Sequence, residues 1–181
     1  MDEVLVGTVL ASTLRVATRL LLCALAGLLS ECAGVIDIGL EGKMLFAAFA
    51  AAAAGAVGGS TLLALAAAVG VAVLLSWLHG LACVSHRGDQ VVSGVAINLI
   101  AAGLTVVLGM AWFGQGGQTP PIGPEVRLGP LWPGAGESLG PILGDGLLGH
   151  NLLVYLALAL VPAVWWLLFR TRFGLRLRAV G

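Results

Sequence analysis

Long apolar runs constrain this chain more than any other feature of its sequence. A membrane-spanning helix needs about 20 predominantly apolar residues, and the runs at residues 61–84, 91–113 and 151–169 all meet that requirement. Charged residues make up 10% of the 181 positions and hydrophobic residues 59%, against about 25% and about 45–50% in soluble domains. One soluble core could not hide this much apolar surface, so we expect a chain that lies in a lipid bilayer.

Two further runs lie nearer the N-terminus and are less regular. Residues 4–29 are long enough to cross a bilayer but include Arg15 and Arg19, and residues 45–57 are rich in alanine and too short to cross as a perpendicular helix. Between them, residues 30–43 are polar and contain three glycines. We predict an all-α polytopic membrane protein with about five hydrophobic segments, one of them a broken or short helix near residues 30–57.

The distribution of basic residues predicts the orientation. The tail at residues 170–181 holds four arginines and no acid, which indicates the cytoplasm. Counting spans back from this tail puts residues 114–149 outside the cell. This segment contains six of the seven prolines of the chain, which predicts an irregular extracytoplasmic loop. We expect a single transmembrane domain over residues 1–181. Its nine cations and nine anions cancel, which excludes a nucleic-acid binder that relies on a broad basic face.

The polar segment at residues 30–43 is the first candidate site, because it combines its glycines with Glu31, Asp37, Glu41 and Lys43. Non-helical backbone at membrane depth is tolerated only where it is buried in protein or lines a wet cavity. Transporters use such interruptions to build a solute path. The alternative is a solvated cytoplasmic loop without a role. The excess of acids on the predicted cytoplasmic side slightly favours a structured element.

Arg15 and Arg19 lie four residues apart and therefore on one face of a helix. Each costs about 2.5–3.5 kcal/mol at the centre of a spanning helix. Either they pair with acids such as Glu31 or Asp37, or the run enters the membrane later, from about Leu20. We prefer structural pairing to a functional cation site.

The run at residues 91–113 carries three polar side chains, Ser93, Asn98 and Thr105. Such residues often bond across helices for roughly 0.6 kcal/mol each and have no other role. Asn98 is the one amide in this run, and helix packing and solute contact explain it equally well.

Ser93 is also the residue that an intramembrane serine hydrolase would have to activate with a histidine. His150 lies most of a membrane thickness away, and His79 is closer in depth, but no third orienting group stands out. We therefore expect no enzyme activity. The three cysteines show neither metal-ligand nor disulfide spacing, so we also expect no metal.

Several stretches follow one another in a familiar order along nearly the whole chain. They read LLSE at residues 28–31, IGLEG at 38–42, GDQVVSGVAINL at 88–99, NLLVYL at 151–156 and FRTRFGLRLRAVG at 169–181. Together they resemble the inner-membrane permease subunits of ATP-binding-cassette importers for nucleosides and simple sugars, the wider family of the ribose permease.

The resemblance implies a translocation subunit in the plasma membrane, the inner membrane of a bacterium. It implies three protein partners: a cytoplasmic ATPase that binds the ATP, a second permease chain and an extracytoplasmic solute-binding protein. The chain itself then needs no cofactor. Because the family continues past the final RAVG into further spans, we expect this sequence to be the first part of such a permease. The alternatives are a branched-chain amino-acid permease of similar architecture and a non-transporting membrane scaffold.

The resemblance also implies roles for particular residues. The solute path is expected to include Asp37, Glu41, Ser93 and Asn98. The ATPase-facing residues are expected to be Arg172, Arg176 and Arg178.

Four positions depart from the family pattern. The pattern favours Pro where this chain has Arg19, Arg where it has Cys32, Asn where it has Asp37 and an apolar residue where it has Lys43. Each change alters charge or backbone geometry around the polar segment, and so bears on solute preference.

Overall fold

The computed structural model describes residues 2–121, 123, 126–132 and 140–181, and helices dominate these ranges. Two stretches are π-helical: Leu81–Ser85, which continues the third long helix, and Pro141–Leu148. The α-helices are α1 (Asp2–Cys32), α2 (Leu40–Gly58), α3 (Thr61–Gly80), α4 (Gln90–Phe113), α5 (Leu152–Arg170) and the short α6 (Arg172–Val180). The all-α prediction is confirmed.

Within the described residues, five helices are long and apolar enough to cross a membrane. They are Glu3–Cys32, Leu40–Gly58, Thr61–Ser85, Gln90–Phe113 and Leu152–Arg170. Large apolar side chains such as Val107 and Trp166 are exposed on them, as expected of surfaces that face lipid rather than water. The three clear spans of the sequence are therefore confirmed to within a few residues.

Two predictions of local structure were wrong. The alanine-rich run is not too short to cross, because α2 begins at Leu40 and has 19 residues; burial and pairing of Lys43 allow polar residues into its first turns. The loop at residues 114–149 is not irregular throughout, because Pro141–Leu148 is helical. Residues 122, 124, 125 and 133–139 of that loop lie outside the described part.

The chain divides into two compact units, of which the first comprises Met1–Gly34 and Leu128–Gly181. Ala11 and Ala157 are buried in it, as expected where small side chains let spanning helices approach closely. The His150 ring is also buried, with Nε2 3.2 Å from the carbonyl oxygen of Ala11.

The predicted pairing of Arg15 and Arg19 with acids has no support in the described residues. Both arginines are exposed on a continuous α1, and Arg19 Nε donates to the carbonyl of Arg15 at 3.3 Å. Of the two acids considered, Glu31 is exposed and Asp37 forms its salt bridge with Lys43. At about 1.5 Å per residue, α1 is about 46 Å long, more than the roughly 30 Å of a hydrocarbon core.

The second unit comprises Val35–Arg127 and contains α2, α3 and α4. Gly59 follows α2 with φ +59°, a left-handed conformation that ends the helix and turns the chain directly into α3. Gly42, Phe49 and Ala53 are buried on α2, Ala101 and Thr105 are buried on α4, and the two helices come into direct contact at Gly42. This unit holds residues 35–43 of the polar segment and the residues predicted to line a solute path.

Candidate functional site

Residues 35–43, the part of the polar segment in the second unit, form a structured element fixed to α4 and not a solvated loop. Its residues 35–39 lead into α2 without helical geometry. The backbone N–H of Ile36 donates to Gln90 Oε1 at 2.7 Å, and that of Gly39 donates to Asp37 Oδ1 at 3.1 Å. The first bond ties the segment to the start of α4, and the second closes a tight turn before α2 begins.

Asn98 on α4 holds the first turn of α2. Its Oδ1 accepts the backbone N–H of Gly42 at 2.7 Å, and its Nδ2 donates to the carbonyl of Ile38 at 3.1 Å. The first N–H groups of a helix have no partner within the helix, so a side chain from a neighbouring helix acts here as the cap. Asn98 therefore has a role in helix packing, and its contact with a solute stays a prediction.

Close backbone approach makes this cap possible. A Cβ atom on Gly42 would lie 2.8 Å from the Cα of Asn98, and one on Gly39 would lie 3.3 Å from the Cα of Gly94. Two of the glycines that break the polar segment therefore allow the start of α2 to contact α4 directly.

A buried ion pair lies in the same place. The Lys43 ammonium pairs with Asp37 Oδ2, and their side chains are 5% and 10% exposed. Separating a buried pair by removing one partner is costly, because the other charge is left without compensation. The pair therefore fixes the non-helical Asp37 to the first turns of α2.

His79, at the end of α3, connects this pair to α4. Its Nδ1 lies 3.1 Å from Ser93 Oγ, and its Nε2 lies 3.7 Å from Asp37 Oδ1 and 3.7 Å from Cys83 Sγ. The ring is buried. Asp37 thus lies near Ser93 and His79, but its carboxylate is beyond hydrogen-bond distance of the histidine ring and does not orient it. Among the described residues, no group of three or more His, Cys, Asp or Glu side chains is arranged to hold a metal.

We call Asp37, Lys43, His79, Ser93 and Asn98 the polar cluster. It contains three of the four residues expected in the solute path, and Glu41, the fourth, is instead exposed in the first turn of α2. An acidic side chain in the first turn of a helix stabilises the helix, because its negative charge interacts favourably with the positive end of the helix dipole.

The sequence placed Lys43 in the polar segment and His79 near Ser93 in depth, but neither was expected in the solute path, although one signal pointed to Lys43. Asp37 and Lys43 both depart from the pattern that the resemblance implies, with an amide and an apolar residue at these positions. The structure shows that the two departures are the two halves of one ion pair. Each of the two charged side chains neutralises the charge of the other, which explains why both can be buried.

The basic tail forms the amphipathic helix α6 in the first unit. Arg172 and Arg176 are exposed, and the Arg178 guanidinium lies 4.9 Å from the centre of the Phe169 ring. Thr171 caps the helix by accepting the N–H of Gly174 at 3.2 Å. The three arginines are therefore presented by a short ordered helix directly after the last described span.

Comparison with known proteins identifies relatives over almost the whole chain. The guanosine ABC transporter permease protein NupQ of Bacillus subtilis is 39% identical over 187 residues, which covers 98% of this chain and 56% of that protein. The putative glucose ABC transporter permease protein TsgC13 of Haloferax volcanii is 35% identical, covering 95% and 51%. The nucleoside ABC transporter permease protein NupC of Lactococcus lactis is 34% identical, covering 96% and 55%. The comparison with solved structures finds no match.

The chain spans about half the length of these curated relatives. Residues 9–181 match the family described as the permease component of branched-chain amino acid transport systems. The resemblance to nucleoside and sugar permeases is confirmed by the relatives. With five helices able to span a bilayer, the chain is a multi-pass protein of the plasma membrane and belongs to this family of transport permeases.

Proposed function

We propose that this chain is part of the translocation subunit of an ATP-binding-cassette importer for a nucleoside or a related simple sugar. Three relatives that match over more than nine-tenths of the chain are named for guanosine, glucose and nucleosides. The family description instead names branched-chain amino acids, so an amino-acid importer is the second candidate.

The interruption before α2 is the observation that carries the proposal. Glycine-containing backbone leaves helical geometry beside three spanning helices and is held by charged and amide side chains from them. Transporters place such interrupted helices at the solute path, and a simple scaffold of packed helices does not need one. We propose that the path passes the α2–α4 face and includes Asp37, Ser93, Asn98 and Glu41.

Three partners complete the proposed importer. A cytoplasmic ATPase would bind the ATP and contact the basic α6, through Arg172, Arg176 and Arg178. A second permease chain would form the path together with this one. A solute-binding protein would deliver the solute to the side of the loop at residues 114–149. The chain itself would hold no cofactor.

We also propose that the chain is not an enzyme, although Ser93, His79 and Asp37 lie together. In a hydrolase triad the acid orients the histidine while the histidine activates the serine. Here the Asp37 carboxylate is neutralised by Lys43 and lies 3.7 Å from His79 Nε2, beyond hydrogen-bond distance. The arrangement fits a structural polar network better than a catalytic one. A Ser93→Ala variant that lost a hydrolytic activity of the wild type would overturn this view.

Uptake by the complete importer tests the proposal. The permease, its ATPase and its binding protein would be reconstituted in proteoliposomes and supplied with radiolabelled guanosine, ribose, glucose or leucine. ATP-dependent accumulation of guanosine or a sugar is the expected result, and an ATPase variant unable to hydrolyse ATP is the control. Accumulation of leucine alone would favour the second candidate. Failure of the chain to purify with any ATPase would favour a scaffold.

A further inference from the structure

A cavity lies within the second unit, between α2 and α4. Its volume is about 420 Å³, and its lining includes Leu45, Phe49, Thr105, Gln118 and Thr119. Sites for small molecules usually have volumes of about 300–1,000 Å³, so the cavity has room for a solute of that class.

The segment after α4 forms one wall of the cavity. Gly114, with φ +65°, ends α4 in a left-handed conformation, and the N–H of Gln115 bonds back to the carbonyl of Gly109 at 3.3 Å. A Cβ atom on Gly109 would lie 2.8 Å from the carbonyl oxygen of Gln115. The missing side chain at Gly109 therefore lets the chain fold back on α4, where Gln118 becomes part of the cavity lining.

The lining combines a rigid aromatic ring with neutral polar groups. Phe49 is 8% exposed and stacks on Trp112, with ring centres 6.0 Å apart and planes inclined by 28°. The Thr105 hydroxyl donates to the carbonyl of Ala101 at 2.7 Å, which leaves its oxygen lone pairs free to accept from a solute. The Gln118 amide can both donate and accept.

None of the described residues that line the cavity is ionisable. Burying the ammonium and carboxylate of an amino acid against neutral groups is costly, because charges need paired partners when they leave water. A neutral solute carries no such cost. An apolar ring face beside hydroxyl and amide groups matches a flat heterocycle with hydrogen-bonding edges, and aromatic side chains bind bases by stacking.

The cavity lies on the same α2–α4 face as the polar cluster. Phe49 follows Gly42 by seven residues and Thr105 follows Asn98 by seven, which separates the two sites by about 10 Å along the helices. The positive-inside rule puts the cavity on the outer side of the cluster, where an imported solute would arrive first.

We propose that this cavity is a nucleoside-binding site of the permease, in which the base packs against Phe49 and its polar edge bonds to Thr105 and Gln118. This inference rests on the proposed function and narrows it from nucleosides or sugars to nucleosides.

Ligand-dependent thermal stability of the permease–ATPase complex, purified without the binding protein, tests the site. Guanosine is expected to raise the melting temperature of the wild type, whereas ribose has a smaller effect because it lacks the base, and leucine has none. Thr105→Val, which keeps the shape of the side chain, should raise the half-saturating guanosine concentration about three- to tenfold. Phe49→Ala should abolish the stabilisation.

Phe46→Ala is the matched control, because Phe46 is in the same helix and does not line the cavity. Its half-saturating concentration should stay within about twofold of the wild type. One contrary outcome is that the wild type imports guanosine while Thr105→Val and Phe49→Ala keep the half-saturating guanosine concentration of the Phe46→Ala control. The nucleoside would then not bind in this cavity, and the proposed function would stand without this site. If leucine raises the melting temperature of the complex and guanosine does not, the assignment of the cavity as a nucleoside-binding site is also refuted. If the wild-type importer transports no nucleoside, both the proposed binding site and the assignment of nucleosides as its substrates are refuted.

Discussion

Replacing Lys43 by methionine removes one half of the buried ion pair while nearly keeping the length of the side chain. Asp37, with its side chain 10% exposed, would keep the N–H of Gly39 and lose the ammonium. Breaking a buried pair from one side costs about 3–5 kcal/mol, because the remaining charge is buried without its counter-charge. At about 2–4 °C per kcal/mol for a chain of this size, we expect Lys43→Met to melt roughly 6–20 °C below the wild type.

The double variant Asp37→Asn with Lys43→Met separates this cause from simple loss of packing. An amide oxygen at position 37 can still accept from Gly39, and no charge is left unpaired, so we expect the double variant to melt within about 5 °C of the wild type. Melting is followed by size-exclusion chromatography of detergent-purified protein after heating. Glu41→Gln, an exposed acid two residues away, is the control for charge alone, with an expected change within about 0.5 kcal/mol. A double variant as unstable as Lys43→Met would refute the reasoning, since the ion pair could not then be the cause.

Three further predictions concern the packing of α2 on α4 and the arginines of α6. Gly42→Ala should impair folding, since its Cβ would lie 2.8 Å from the Cα of Asn98, whereas Gly70→Ala, with open space around it, should melt at or above the wild-type temperature. Asn98→Leu should leave the two backbone groups that Asn98 bonds without partners, which costs about 1–3 kcal/mol for each group. We expect this variant to lower uptake by the complete importer. Unchanged uptake, with normal membrane insertion on reporter fusions, would remove Asn98 from the solute path. Arg176→Glu with Arg178→Glu should reduce co-purification of the ATPase, and unaffected association would make α6 a plain membrane anchor.

The sequence predicted the spans well because a bilayer sets a minimum length and an apolar composition for each one. The three clear runs needed no knowledge of partners, and their boundaries agree with the helices to within a few residues. The family was also predictable, because several motifs in a fixed order are much more specific than any single one.

The alanine-rich run was predicted less well, because its start depends on a contact distant in sequence. Whether residues before position 45 join α2 depends on whether the charge of Lys43 is neutralised, and Asp37 does this from outside the helix. Composition and periodicity describe one segment at a time and do not contain that information. The same limit applies to His79, whose contacts with Asp37 and Ser93 join residues from three parts of the chain.

The polar cluster and the glycines beside it constrain how an importer built on this unit could move. Sliding α2 along α4 would break both bonds of Asn98 and bring the backbone of Gly42 against a neighbouring turn of α4. Packed interfaces of this kind have discrete arrangements and do not deform continuously. Moving α3 away from α2 and α4 would also separate His79 from Ser93 and from the Asp37–Lys43 ion pair, the only buried Lys–Asp pair in the described residues. In the proposed importer, α2, α3 and α4 would therefore move as one body. A cavity between α2 and α4 would then keep its shape while the access to it changes, which is what alternating access around a fixed site requires.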